Sequence, residues 1–175
     1  AATLGTTTGA WTTREGWMTS DPCSNGWGGA GALTCNSITG EVLGLDLANN
    51  GLGGYLPTQL GQLTSLSVAV DLSDNAIAST IPTELGRLTA LVGGFDLGKN
   101  SFAGAGGGTP GKSNTIPTQL GRLVLLVSSF NLEANGLDSS IPTQIGTMTS
   151  MVKDLNLLKN ALTASIPTQV TPRPP

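Results

Sequence analysis

The sequence predicts an α/β-type solenoid: a right-handed coil with a parallel β-sheet on its concave face and short 3-10 or helical turns on its convex side. Three observations predict it. Asparagines recur at Asn50, Asn75, Asn100, Asn135 and Asn160, stepping by 25 residues except for one step of 35. Prolines recur on the same intervals at Pro57, Pro82, Pro117, Pro142 and Pro167, and a Thr follows each. Two apolar residues, spaced by two, precede every one of those asparagines. A fixed period of this length is one supersecondary unit stacked on copies of itself, each burying a face that it cannot bury alone.

Within a repeat the elements follow in order. Leu45, Val70, Phe95, Phe130 and Leu155 precede Leu47, Leu72, Leu97, Leu132 and Leu157 by two residues. That alternation is the period of a short strand with one buried face. The asparagine comes next, in a tight turn where its amide can bond main-chain groups of adjacent coils. The apolar columns Leu52, Ile77, Phe102, Leu137, Leu162 and Leu56, Ile81, Ile116, Ile141, Ile166 continue the core. Each such side chain contributes roughly 1.5–3 kcal/mol when a neighbouring coil covers it. Leu60, Leu85, Leu120, Ile145 and Val170 place a short helical turn after each proline. Gly61, Gly86, Gly121 and Gly146 are expected where that turn must reverse. The step of 35 marks a Gly-rich insertion over residues 105–114. It reads as a tolerated surface loop, with a functional loop as the alternative.

Composition excludes several classes of function. Only 11% of the 175 residues are charged and the net charge is −3, which offers nothing to nucleic acid or an anionic membrane. There is no His, the commonest general base and a common metal ligand. No apolar run approaches the roughly 20 residues of a membrane span. Cys23 and Cys35 are the only cysteines, a poor zinc set without His. They read as a disulfide of an oxidising compartment or as a pair of free core thiols. The start at Ala1-Ala2-Thr3 fits a mature chain after signal-peptide removal, and equally an arbitrary boundary. Secretion is the expected localisation.

The pattern L-x-x-L-x-x-x-x-(D/N)-L-x-x-N-x-L-x-x-x-I-P-T-x-L-G, over about residues 41–170, resembles the plant-type extracellular leucine-rich repeat family. Trp17, Asp21-Pro22-Cys23, Trp27-Gly28 and Cys35 look like the cysteine-containing cap that precedes such repeats. The resemblance implies a cap over residues 1–40 held by a Cys23–Cys35 disulfide. It implies five repeats over 41–170 and a Pro-rich tail over 171–175. Trp11, Trp17 and Trp27 are expected to be buried in the cap. It also implies a non-enzymatic binding, recognition or assembly module, without a cofactor or a resident metal. The partner would be a protein or an extracellular surface, with end-to-end self-assembly through the last coil as a further option.

Two sets of residues are candidates for the site. On the concave face, Asp46, Asp71, Asp96, Asn131 and Asn156 form one exposed column, the expected recognition site. A hard cation or acid–base chemistry on its carboxylates is the lesser reading. The second set is hydroxylic. Thr58, Thr83, Thr118, Thr143 and Thr168 follow the prolines, and Thr80, Thr115, Ser140 and Ser165 precede the isoleucines. The threonines after proline are expected to cap the helical turns. Read as a flat array of hydroxyls and methyls, the two columns suggest an ice-binding surface. Ice binding is therefore the alternative function.

Overall fold

The computed structural model describes residues 21–23, 32–102 and 114–168. Trp11, Trp17, Trp27, Val170, the 171–175 tail and all of the 105–114 insertion except Asn114 lie outside them. The elements run β1 (Leu33–Cys35), β2 (Val42–Asp46), β3 (Gly53–Tyr55), η1 (Thr58–Gln62), β4 (Val70–Asp71), β5 (Ala76–Ala78), η2 (Thr83–Arg87), β6 (Phe95–Asp96), η3 (Thr118–Arg122), β7 (Phe130–Asn131), η4 (Thr143–Thr147) and β8 (Leu155–Asn156). The η elements are 3-10 helices.

One six-stranded sheet has the order β1-β2-β4-β6-β7-β8. It is parallel from β2 onwards, with Leu45, Val70, Phe95, Phe130 and Leu155 in register. β1 pairs antiparallel with β2 and so closes the first coil's edge. Cys23 and Cys35 are bonded, with Cα atoms 5.8 Å apart. The disulfide alternative of the cysteine reading is the one realised, and it ties the chain at Cys23 to the end of β1.

A second, smaller ladder was not legible in the repeat. β3 pairs parallel with β5, and the bridge between Ala78 and Ser101 continues it into the next coil. The signal was weak because Gly53-Gly54 and Ala76 lack the β-branched, alternating character of a strand. The pairing follows instead from coil-to-coil stacking, which brings the segment after each asparagine beside its equivalent.

The core lies between the sheet and the 3-10 turns. Phe95, Phe102, Phe130, Leu72, Leu97, Leu120 and Leu132 are buried, and the Phe95 and Phe130 rings stack with centroids 5.4 Å apart. The asparagine column does what its spacing implies. Asn75 Oδ1 accepts from Leu52 N at 2.9 Å and from Asn50 N at 3.0 Å, while its Nδ2 donates to Leu47 O, Leu72 O and Ser73 O. Asn100, Asn135 and Asn160 repeat the arrangement on later coils. Buried main-chain groups that a tight turn leaves over are thereby satisfied from the adjacent coil.

Two expectations need correction. The glycines after the proline do not reverse the turn; Gly61, Gly86 and Gly121 are sites of close approach between coils. A Cβ on any of them would overlap the carbonyl oxygen of Glu84, Gln119 or Gln144 in the next turn. The threonines after proline do not cap the 3-10 helices either. Pro57, Pro82, Pro117 and Pro142 occupy the cap position with extended backbone, and no side-chain cap bond forms. The reason is register: the threonine is the first residue inside the helix, one position beyond the place from which a hydroxyl could reach back.

The backbone carries a strained column as well. Asn49, Asp74, Lys99, Ala134 and Lys159, each just before a ladder asparagine, have φ between 50° and 56°. Ser79 and Ala164 have φ of 75° and 68°, at the position that Gly54 fills in the first coil. Asn and Asp visit this left-handed region at modest cost; Ala and Lys do so against a penalty of roughly 1–2 kcal/mol.

Candidate functional site: the outward face of the six-stranded sheet

On the face of the sheet turned away from the core, the residue between each pair of buried strand positions points to solvent. Parallel register brings Asp46, Asp71, Asp96, Asn131 and Asn156 into one line, as their spacing implies. Strands this far apart, about 4.8 Å, place successive side chains within reach of one another.

These side chains are not free carboxylates and amides on an open face. Each accepts a hydrogen bond from the main-chain N–H two residues on. Asp46 Oδ1 accepts from Ala48 N at 3.2 Å, Asp71 Oδ1 from Ser73 N at 2.9 Å, and Asp96 Oδ1 from Gly98 N at 2.8 Å. Asn131 Oδ1 accepts from Glu133 N at 2.9 Å and Asn156 Oδ1 from Leu158 N at 3.2 Å. The column therefore builds the turn that leaves each strand, which is why only Asp or Asn stands there.

Electrostatics divide the face into two halves. In the first, Asp46 is exposed, and Asp71 accepts in addition from Ser73 Oγ at 2.6 Å. In the second, side chains of neighbouring coils bind the carboxylates, and a lysine neutralises one of them. Asn131 Nδ2 donates to both oxygens of Asp96. Asn156 Nδ2 donates to Glu133 Oε2 at 3.0 Å, and Lys159 Nζ lies 2.7 Å from Glu133 Oε1. The hydrogen bond from Lys159, then that from Asn156, hold the Glu133 carboxyl below the usual carboxylate range. Lys99 and Asp74 form a looser pair at 3.6 Å along the same border. Sequence reasoning placed the column, with Glu133 beside it, but missed that Glu133 joins Asn156 and Lys159 across coils and that Lys99 pairs with Asp74. Their positions two and three residues after the column, on neighbouring coils, were the available signal.

Gly98 keeps the second half open to that pairing. A Cβ there would lie 2.7 Å from Asn131 Nδ2. Among the described residues no group of three or more His, Cys, Asp or Glu is placed to hold a metal ion.

The hydroxyl columns lie elsewhere, at and just before the 3-10 turns. Thr80, Thr115, Ser140 and Ser165 are exposed, as are Thr58, Thr83, Thr118, Thr143 and Thr168. Thr58, Thr83, Thr118 and Thr143 each donate to the side-chain oxygen of the following Gln or Glu at 3.2–3.4 Å. The last coil shows more of its apolar surface than the others: Ile166 is 69% exposed, where Ile81 and Ile116 are 3% and 2%.

No family model and no curated protein matches the chain. Solved structures do. The BIR2 ectodomain from Arabidopsis thaliana is 29% identical, with a TM-score of 0.67 over 81% of this chain and 68% of that one. The BIR3–SERK2 complex of the same plant is 26% identical, with a TM-score of 0.69 over 90% and 75%. The LRR ectodomain of the plant membrane receptor kinase GASSHO1/SCHENGEN3, solved with Casparian strip integrity factor 2, is 27% identical with a TM-score of 0.67. The chain shares the leucine-rich repeat fold of these plant ectodomains. The match covers 86% of this leucine-rich repeat chain but 19% of GASSHO1/SCHENGEN3, so that neighbour is several times longer.

Proposed function

We propose that this leucine-rich repeat protein is a non-enzymatic recognition module, working outside the cell, that docks a peptide or protein on the outward face of its sheet. The observation that carries this is the kind of neighbour it has. BIR3 is solved as a complex with SERK2, and the GASSHO1/SCHENGEN3 ectodomain as a complex with Casparian strip integrity factor 2. The Cys23–Cys35 bond supports an oxidising compartment. In this reading residues 1–40 are the cap, 41–170 the five repeats and 171–175 a tail. The coil winds right-handed, as connections between parallel strands nearly always do.

Asp46 and Asp71 are the residues on which we place ligand contact, because among the described residues neither carboxylate takes part in a salt bridge or accepts from a side chain of another coil. Asp96, Asn131 and Asn156 shape the face beside them. The test is selection of peptides from a random display library on the immobilised protein. Selected peptides should lose affinity for the Asp46→Arg/Asp71→Arg variant, since reversing charge at a contact opposes an electrostatically matched partner. Peptides that bind wild type and variant alike would move the site off this face.

Ice binding by the hydroxyl columns is a second reading, and the solved neighbours lend it no support. Its one structural argument is that the threonines after proline are exposed and are not used as helix caps.

A further inference from the structure

The cations of the described residues are unevenly distributed. There are five: Arg87, Lys99, Arg122, Lys153 and Lys159. Lys99 and Lys159 are paired with carboxylates at the border of the sheet face. Arg87, Arg122 and Lys153 take part in no ion pair among the described residues, and each lies within five residues in the chain of one of three stacked, exposed valines.

The valines form a strip where each 3-10 turn runs back towards the sheet. Val92, Val127 and Val152 occupy equivalent positions in three successive coils. They are stacked by a main-chain ladder in which Val127 N donates to Val92 O at 2.8 Å and Val152 N to Val127 O at 3.0 Å. Their side chains point outwards, at 45%, 37% and 76% exposure, while the residue before each, Leu91, Leu126 or Met151, turns into the core or packs against it. Val124 and Leu125, at 42% and 50% exposure, widen the apolar surface in the central coil. Arg87 and Arg122 close η2 and η3 at equivalent positions, and both are exposed. Lys153, also exposed, follows Val152 directly in the chain. Glu84 and Asp154, the carboxylates nearest in sequence, form no ion pair with these three cations.

An aliphatic stripe with exposed cations close by in the chain, on a protein whose net charge is −3, is a local inversion of the molecule's character. We propose that it is a second docking surface, for a protein segment carrying carboxylates beside aliphatic side chains. The occupant follows from complementarity. Two guanidinium groups on stacked coils suit carboxylates, to which Arg binds with directed, paired hydrogen bonds. The stacked valines offer desolvation to an aliphatic side chain. Three cations on an acidic protein are too few for nucleic acid or a lipid surface, both of which need a dense basic patch. Three coils, about 10 Å of ladder, match a short segment of chain.

The test uses a short synthetic peptide alternating Glu and Leu, titrated into the isotopically labelled protein and followed by backbone amide resonances. The amides of Val92, Val127 and Val152 should shift. Affinity should fall by about tenfold in Arg87→Glu/Arg122→Glu and in Val127→Ser, each checked for an unchanged fold by circular dichroism. It should be unchanged in Asp46→Arg/Asp71→Arg, which separates this surface from the sheet face. Peptides alternating Lys with Leu, or Glu with Ser, should bind at least about tenfold more weakly. Equal binding of the Lys–Leu peptide, absence of Glu–Leu binding, or shifts confined to the sheet face would overturn the proposal. So would binding to phosphatidylserine vesicles in place of the peptide, or self-association in the ultracentrifuge that Arg87→Glu/Arg122→Glu abolishes, since either names a different occupant.

Discussion

The side-chain amide of Asn131 donates to both carboxylate oxygens of Asp96, at 3.0 and 2.9 Å, across two neighbouring strands of the parallel sheet. One of those oxygens also accepts from Gly98 N. A position that looks like a solvent-facing member of a recognition column is therefore also a structural tie between coils. Asn156 makes a second tie between coils through Glu133, whereas Asp46 and Asp71 bond only within their own coil. Substitutions at Asp96, Asn131 and Asn156 therefore report on stability and on binding together.

Stability should follow that gradation. Leu97, fully buried, should cost roughly 2–5 kcal/mol as Leu97→Ala, through lost burial and a residual cavity. Asp96→Ala should cost about 1–2 kcal/mol, because it leaves Gly98 N and the Asn131 amide without their acceptor. Asp46→Ala, exposed and with a single long bond to Ala48 N, should stay within about 0.5 kcal/mol. Urea midpoints at matched slopes would check the order Leu97, Asp96, Asp46. An Asp96 cost no larger than that of Asp46 would remove the tie.

Ala134 sits at φ 50°, where an alanine Cβ crowds the following carbonyl. Ala134→Gly should stabilise the protein by about 0.5–1 kcal/mol, the strain relieved less the extra entropy of glycine in the unfolded chain. Ala134→Asn should also stabilise, since Asn49 fills the equivalent position at the same φ. Thermal unfolding should show a rise of a few degrees. A fall would mean that the turn relaxes to accommodate alanine.

Gly86→Ala tests the contact between coils. Its Cβ would overlap Gln119 O, a backbone atom that cannot rotate away. The expected cost is about 3 kcal/mol or more, the upper part of the range for overpacking. If alanine is tolerated there, the coils are more loosely stacked than described.

Acid should weaken the second half of the sheet face. The folded Glu133 carboxyl is held below its ordinary value, first by Lys159 and then by Asn156. A depressed carboxylate contributes stability that is present above the unfolded value, about 4.3, and is lost as the pH falls through the lower folded one. Melting temperature should therefore drop more steeply on acidification in the wild type than in Glu133→Gln. Parallel curves would show that the pair contributes nothing.

Most of the architecture was legible because a repeat multiplies its own signal. Val70 or Leu72 alone is an ambiguous apolar residue, but in register with four equivalents each becomes a core column. The asparagine ladder was legible for the same reason. What remained hidden depends on the fit between coils, and periodicity does not encode that. Glycine stands at the Gly86 position in four of the five repeats whether it reverses a turn or admits a neighbour's carbonyl, and only the packing of the coils distinguishes the two. The threonine after each proline suits a cap by residue type, yet it falls one position inside the helix. Glu133 is a departure from its column, where Ala48, Ser73, Gly98 and Leu158 stand in the other coils, and the column of its partner Lys159 varies from coil to coil through Asn49, Asp74, Lys99 and Ala134. Column-wise reading averages such singular residues out, although they set the charge of the site.

The two functional readings separate on Thr118 and Asp71. Thr118 is exposed at the head of η3 and donates to Gln119 Oε1 at 3.2 Å, so Thr118→Tyr should leave the fold intact. If the hydroxyl columns bind ice, a phenol at the centre of the array would hold the surface off the lattice and abolish thermal hysteresis. If the sheet face binds a peptide, Thr118→Tyr should leave that affinity unchanged, while Asp71→Arg should lower it by about tenfold through reversed charge at the contact. Our expectation is no hysteresis in the wild type and a loss of peptide binding with Asp71→Arg alone. Hysteresis in the wild type that Thr118→Tyr removes, together with peptide binding indifferent to Asp71, would reverse the assignment. The hydroxyl columns, and not the sheet, would then be the working surface.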